Sequence, residues 1–89
     1  MEITRNEARR RFEAEVENKL GVLEYHVAGK SIVFTHTGVP PEIEGRGIAS
    51  ALTKAGLEYA REHHLKVVPQ CPFVREYLMK HSEYGDLLS

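Results

Sequence analysis

Two stretches of this 89-residue chain bring together residue types that could do chemistry. The first is Gly45-Arg46-Gly47-Ile48-Ala49. Glycines have no side chain to keep an anion away, and a helix starting near Gly47 would present unpaired N–H groups and about half a positive charge. Such a loop suits a diphosphate, and Arg46 adds a formal charge to it. A plain strand-to-helix turn is the other reading. Competing phosphate motifs do not fit: there is no Gly-x-x-x-x-Gly-Lys-Ser/Thr, and Gly45, Gly47 and Ala49 lack the dinucleotide spacing Gly-x-Gly-x-x-Gly.

The second stretch is Cys71-Pro72. Proline suits the first position of a helix, which makes Cys71 the N-cap. There the positive helix end favours thiolate and draws the thiol below its free value of about 8.5. That sulfur could accept an acyl group; alternatively Cys71 is a small buried residue. His36, on the segment leading to the glycine loop, could take a proton from an amine, or be a hydrogen-bonded core histidine. The histidines do not spell a metal site. Adjacent His63 and His64 point about 100° apart on a helix, and His26, His36 and His81 are far apart with no paired cysteines, so no metal is expected.

The elements that must position these groups are short. From Arg11 to Glu17 strict alternation puts Phe12, Ala14 and Val16 on one face of a half-buried strand. After a turn at Asn18 to Gly21, Leu23, Tyr25 and Val27 alternate to about Ala28, and Gly29-Lys30 allows a tight reversal. The run Ser31 to Val39 is β-branched and nearly apolar on both faces, which predicts the sheet's central strand, covered on both sides. Pro40-Pro41 ends it. A helix starts near Gly47, with Ile48, Leu52, Ala55 and Tyr59 as its apolar stripe, and ends near His63-His64. Leu65 to Pro69 returns parallel to the central strand, parting from it near Pro69, and a last helix follows Pro72. In this βαβ arrangement ligands gather beyond the strand ends at Val39 and Gln70-Cys71, where the glycine loop also lies.

The segment Val39-Pro40-Pro41-Glu42-Ile43-Glu44-Gly45-Arg46-Gly47-Ile48-Ala49 resembles the cofactor loop of GNAT acetyltransferases, whose pattern is Gln/Arg-x-x-Gly-x-Gly/Ala. Glu44 stands where that family prefers Gln or Arg. Segments similar to His36-Thr37-Gly38-Val39-Pro40 and Val68-Pro69-Gln70-Cys71-Pro72-Phe73-Val74 occur in a short GNAT-like subfamily. The resemblance implies an α/β (α+β) fold in a single minimal domain over residues 1–89: an antiparallel meander of three strands, a βαβ unit and a C-terminal helix. It implies acetyl-CoA as cosubstrate, its diphosphate held by the amides of Gly45, Arg46, Gly47, Ile48 and Ala49, and its pantetheine arm paired with the strand end at Val39. The acyl group would lie between the parting strands, facing an amine acceptor whose identity the residues do not give. Leu78 falls where many members carry a tyrosine general acid, and Tyr77 beside it faces elsewhere. Two functions follow: an N-acetyltransferase, in which the amine attacks directly or through acetyl-Cys71, or a module that holds acyl-CoA without turnover.

Composition narrows the partners. No apolar run approaches the roughly 20 residues of a membrane span, so no membrane partner is expected. A net charge of −1 gives no long-range pull on nucleic acid. Arg9-Arg10-Arg11 is a short basic cluster that leads into a strand and lacks aromatic neighbours suited to base stacking, so it reads as surface and no nucleic-acid partner is expected. The single cysteine cannot form an internal disulfide, and Met1 to Glu7 lacks the apolar core of a secretory signal; both point to the cytoplasm.

Overall fold

Residues 1–88 are described by a computed structural model, and Ser89 lies outside the described residues. Glu17 and Asn18 both take positive φ, 53° and 64°, the backbone that a two-residue hairpin turn needs to match strand twist. That turn joins β2 (Arg11–Val16) to β3 (Lys19–Ala28), so β3 begins two residues before Gly21, where the sequence suggested a longer turn. A second tight turn at Gly29-Lys30 leads into β4 (Ser31–Gly38). An N-terminal strand absent from the sequence reading, β1 (Ile3–Asn6), pairs antiparallel with β2. The antiparallel meander therefore has four strands, and β5 (Lys66–Pro69) adds to it in parallel beside β4, in the order β1-β2-β3-β4-β5.

Two features of β4 depart from its predicted place. It is the fourth of five strands, with β3 at the centre. Its apolar residues close both faces only locally: Ile32 and Phe34 are fully buried on one face and Val33 nearly so on the other, whereas Thr35 and His36 are exposed. It also carries an extra residue. Glu24 pairs with His36 and Tyr25 with Phe34, which leaves Thr35 bulged out of register. Its hydroxyl donates to the Glu24 carbonyl at 3.3 Å.

After a short 3-10 helix at Pro41–Ile43, α1 (Ile48–Glu62) lies across β2 and β3. Its buried residues are Ile48, Leu52, Thr53, Gly56, Leu57 and Ala60, while Ala55 and Tyr59 sit half-buried at the edge of the stripe. The sequence reading missed Thr53 and Gly56 for separate reasons. Thr53 tolerates full burial because its hydroxyl donates to the Ala49 carbonyl at 2.8 Å. Gly56 is the point of closest approach to the sheet: a β-carbon there would stand 2.8 Å from Phe34 Cε1 and 3.0 Å from Leu23 Cδ2. The core thus forms between α1 and one face of the sheet, built on Phe12, Leu23, Tyr25, Ile32 and Phe34. Among the described residues no helix packs on the opposite face of β2 and β3.

From β5 the chain enters α2 (Pro72–Lys80), which packs against α1 and β5 through Val74, Tyr77 and Leu78. A last 3-10 segment, Ser82–Leu87, is tied back to α1 by Arg61, which donates to both Asp86 carboxylate oxygens and to the Glu83 carbonyl. No helix is long and apolar enough to cross a membrane.

Candidate functional site

The site is made mostly of main chain. Gly45 and Gly47 both adopt left-handed backbone, φ 80° and 75°, which an L side chain resists, and they flank Arg46 in a turn that ends at the α1 N-terminus. Gly47 is the N-cap and carries no side chain to satisfy the first-turn amides. The first main-chain bond of the helix runs from Ala51 N to Gly47 O, 3.0 Å. Among the described residues, the N–H groups of residues 45–50 find no protein acceptor. A left-handed residue followed by a helical one turns successive amides into a concave nest, and the helix dipole adds positive potential. Six free donors around one turn match the chemistry of a diphosphate.

These amides border a groove of about 570 Å³, whose walls are Gly38 and Val39 from the end of β4, Ile43 and Glu44 from the loop, Ile48 from α1 and Phe73 from α2. The groove exists because β5 stops short. Its pairing with β4 ends at Phe34 and Pro69, the Cys71 N–H donates once more to the Phe34 carbonyl at 3.0 Å, and the chain then turns into α2. The stretch of β4 from Thr35 to Gly38 runs on without a strand on that side. The predicted parting of the two strands near Pro69 is thus where the groove opens.

Cys71 is the N-cap of α2, with Pro72 in the first turn. Its Sγ lies 3.1 Å from Thr37 Oγ1, and Thr37 itself lines the groove. Cys71 is only 4% exposed, so the thiol sits at the inner wall of the groove and not in open solvent. Burial pushes the thiol up, but the Thr37 hydroxyl and the Val74, Phe73 and Thr37 main chain outweigh it, and the net pKa is lowered.

The other residues expected at the site divide. Val39, Gly45, Gly47, Ile48 and Ala49 all line the groove. Arg46 turns away from it, and its Nη1 donates to Glu17 Oε2 in the β2–β3 turn at 2.6 Å. That pair holds the Glu17 carboxyl below its usual range. Glu44, not Arg46, is the charged side chain on the groove wall. His36 is exposed on the opposite sheet face, paired with Glu24, where it does not meet Cys71. The bulge explains this. Simple alternation from Ile32 and Phe34 would put His36 on the α1 face, but the extra residue at Thr35 inverts the order and gives that face to Thr37, opposite the buried Leu23.

Thr37 and Phe73 are the groove-lining residues that sequence reasoning missed. The Thr37 contact spans 34 positions and depends on the bulge, so no local pattern announces it. Phe73 had a signal: an aromatic next to Pro72 in a helix whose buried residues are Val74, Tyr77 and Leu78 must face elsewhere.

Known proteins resemble this chain in sequence and in fold. A family model described as GCN5-related N-acetyl-transferase matches residues 11–87. Protein NATD1 from Gallus gallus is 35% identical over 81 residues, covering 88% of this chain and 74% of that one. The Mus musculus protein of that name is 43% identical over 58 residues, 64% of this chain and 53% of its own. The NMR solution structure of a GCN5-like protein from Staphylococcus aureus matches with a TM-score of 0.77 at 34% identity, over 99% of this chain and 87% of that one. The chain belongs to the GCN5-related N-acetyltransferase family, and its five-stranded mixed sheet with helices is a GNAT-like α+β fold.

Proposed function

We propose that this chain is an acetyl-CoA-dependent N-acetyltransferase acting on a primary amine through acetyl-Cys71, in the cytoplasm. The observation that carries the reading is the set of unpaired amides at residues 45–50 beside a groove that ends on a thiol with lowered pKa. In this reading those amides hold the diphosphate, and the free edge of β4 up to Val39 receives the amide-bearing pantetheine arm as a strand would. The Cys71 thiolate, hydrogen-bonded by Thr37, attacks the thioester carbonyl. The new C–S bond to Cys71 replaces the one to CoA, whose sulfur leaves and takes up a proton. A neutral amine then attacks acetyl-Cys71, the amide forms, and the Cys71 sulfur leaves as thiolate. The amine's surplus proton passes to solvent; His36, on the opposite sheet face, takes no part.

A second reading is a module that holds acyl-CoA without turnover, favoured by the near-complete burial of Cys71 and by Leu78, not a tyrosine, facing the core. Thermal-shift titration with acetyl-CoA, followed by intact-mass spectrometry of wild type and Cys71→Ala, separates the two. We expect stabilisation of both proteins and one acetyl adduct on wild type alone, discharged on adding an amine. Binding without an adduct or amide product favours the module. No response to acetyl-CoA overturns both.

A further inference from the structure

The Arg9-Arg10-Arg11 cluster divides once the chain is folded. The Arg9 N–H donates to Asn6 Oδ1 at 3.1 Å, and Arg11 Nε donates to Glu13 Oε2 at 2.6 Å. Arg10 has no carboxylate partner among the described residues. It takes a positive φ of 54° where the β1–β2 turn ends, and the Tyr25 N–H, which donates to its carbonyl at 3.0 Å, fixes it there. From that place it lines a hollow of about 420 Å³, together with Arg5 and Glu7, with Tyr25 and Val27 from β3, and with Tyr59 from α1. The aromatic neighbours that the sequence did not show beside these arginines thus arrive from other elements. Arg5 is the fixed part of the hollow. Its Cζ lies 4.6 Å from the centroid of the Tyr59 ring, and its Nη1 donates to the Tyr25 hydroxyl at 3.2 Å. Tyr25 is only 6% exposed, so this guanidinium is anchored on the protein before any ligand arrives. Its Nη2 meets Glu7 Oε1 only at 3.9 Å, and the Glu7 side chain is 83% exposed. So long and exposed a pair is weak and gives way readily.

We propose that this hollow is a second ligand site, which takes a small phosphate monoester with its phosphoryl group between Arg5 and Arg10. The fork of a guanidinium matches two oxygens of such a group, and two guanidiniums match its double charge. The volume falls within the roughly 300–1,000 Å³ of small-molecule sites, and Val27, 49% exposed, offers an apolar surface to the organic part of the ester. Glu7 opposes the anion, which makes it a second handle on the same site. The site is separate from the amide cradle. The groove lies where Gly38 pairs with Val22, whereas the hollow begins at Tyr25 and Val27, and from Ile48 to Tyr59 α1 runs roughly 16 Å away from the glycine loop. Binding here requires neither Cys71 nor the loop.

Residue-resolved NMR titration of the full chain with phenyl phosphate tests the proposal, because it reads the hollow apart from the cradle, where a phosphate also meets free amides. Saturable shifts are expected at Arg5, Glu7, Arg10, Tyr25 and Val27, and none there with sodium chloride at matched ionic strength. Inorganic phosphate, which lacks the organic part, and benzoate, which has the ring but a single charge, should both bind the hollow more weakly. Arg10→Gln should weaken phenyl phosphate at the hollow by about fivefold, the size of one exposed charge contact, and leave shifts at residues 45–50 as in wild type. Glu7→Gln should tighten it. Shifts confined to residues 45–50, shifts reproduced by chloride, or shifts at the hollow unchanged in Arg10→Gln overturn the proposal. Inorganic phosphate or benzoate binding the hollow as tightly as phenyl phosphate overturns it too, the first denying a monoester site and the second a phosphoryl one.

Discussion

At the scale of single residues, the proposed chemistry turns on the contact between Thr37 and Cys71. Thr37→Val removes the hydroxyl 3.1 Å from the sulfur but keeps the shape of the side chain. With that support gone and the burial unchanged, the thiol pKa should rise. The midpoint of the pH profile for Cys71 alkylation by iodoacetamide should therefore move to higher pH than in wild type. An unmoved profile would show that Thr37 does not stabilise the thiolate. Gly47 supplies a second test. Gly47→Ala and Gly47→Glu both force a side chain into left-handed backbone, at about 1–2 kcal/mol each, and open space surrounds the position. Only the glutamate sets a carboxylate against the amides, so Gly47→Glu should abolish acetyl-CoA binding in a thermal-shift titration while Gly47→Ala retains much of it. Both the glycine loop and Cys71-Pro72 were legible in the sequence because glycine and proline impose their backbone locally. The placing of His36 was not, since one bulged residue reverses every side chain after it.

Among the elements, the position of α1 over the sheet depends on Gly56. Helix propensity alone favours Gly56→Ala by about 1 kcal/mol. The new methyl, however, would meet Phe34 and Leu23, both fully buried and unable to withdraw. Overpacking of this kind costs about 1–3 kcal/mol, so a net loss of stability is expected in urea denaturation; a gain would mean that α1 can lift from the sheet. Period and turn chemistry made most elements readable: the Phe12, Ala14 and Val16 face of β2, the β3–β4 turn, and α1 with its cap. β1 escaped because Ile3-Thr4-Arg5-Asn6 is too short for alternation to show and offers only one aliphatic residue. The α1 stripe was read slightly off its true centre, because a glycine at a contact and a self-satisfied threonine do not look apolar.

Across the whole molecule, the C-terminal segment is held to α1 by polar contacts that respond to pH. Tyr84 donates to Glu58 at 2.5 Å, and this bond, with burial and nearby carboxylates, leaves the phenol pushed up to about 12. The folded value lies above the roughly 10 of an unfolded tyrosine. The contribution is therefore complete below about pH 10 and is lost as pH rises toward about 12. The stability advantage of wild type over Tyr84→Phe in urea should thus hold at pH 8 and shrink by pH 11; a constant advantage would detach it from the phenol's ionisation. The free amides of residues 45–50 have a different consequence. Recognition by peptide groups leaves little trace in side-chain identity, so systematic replacement by alanine would pass over this surface almost silently. The side chains of Glu44 and Arg46 on either side of Gly45 then carry little of the grip, and only changes that reshape the peptide path itself should register as loss.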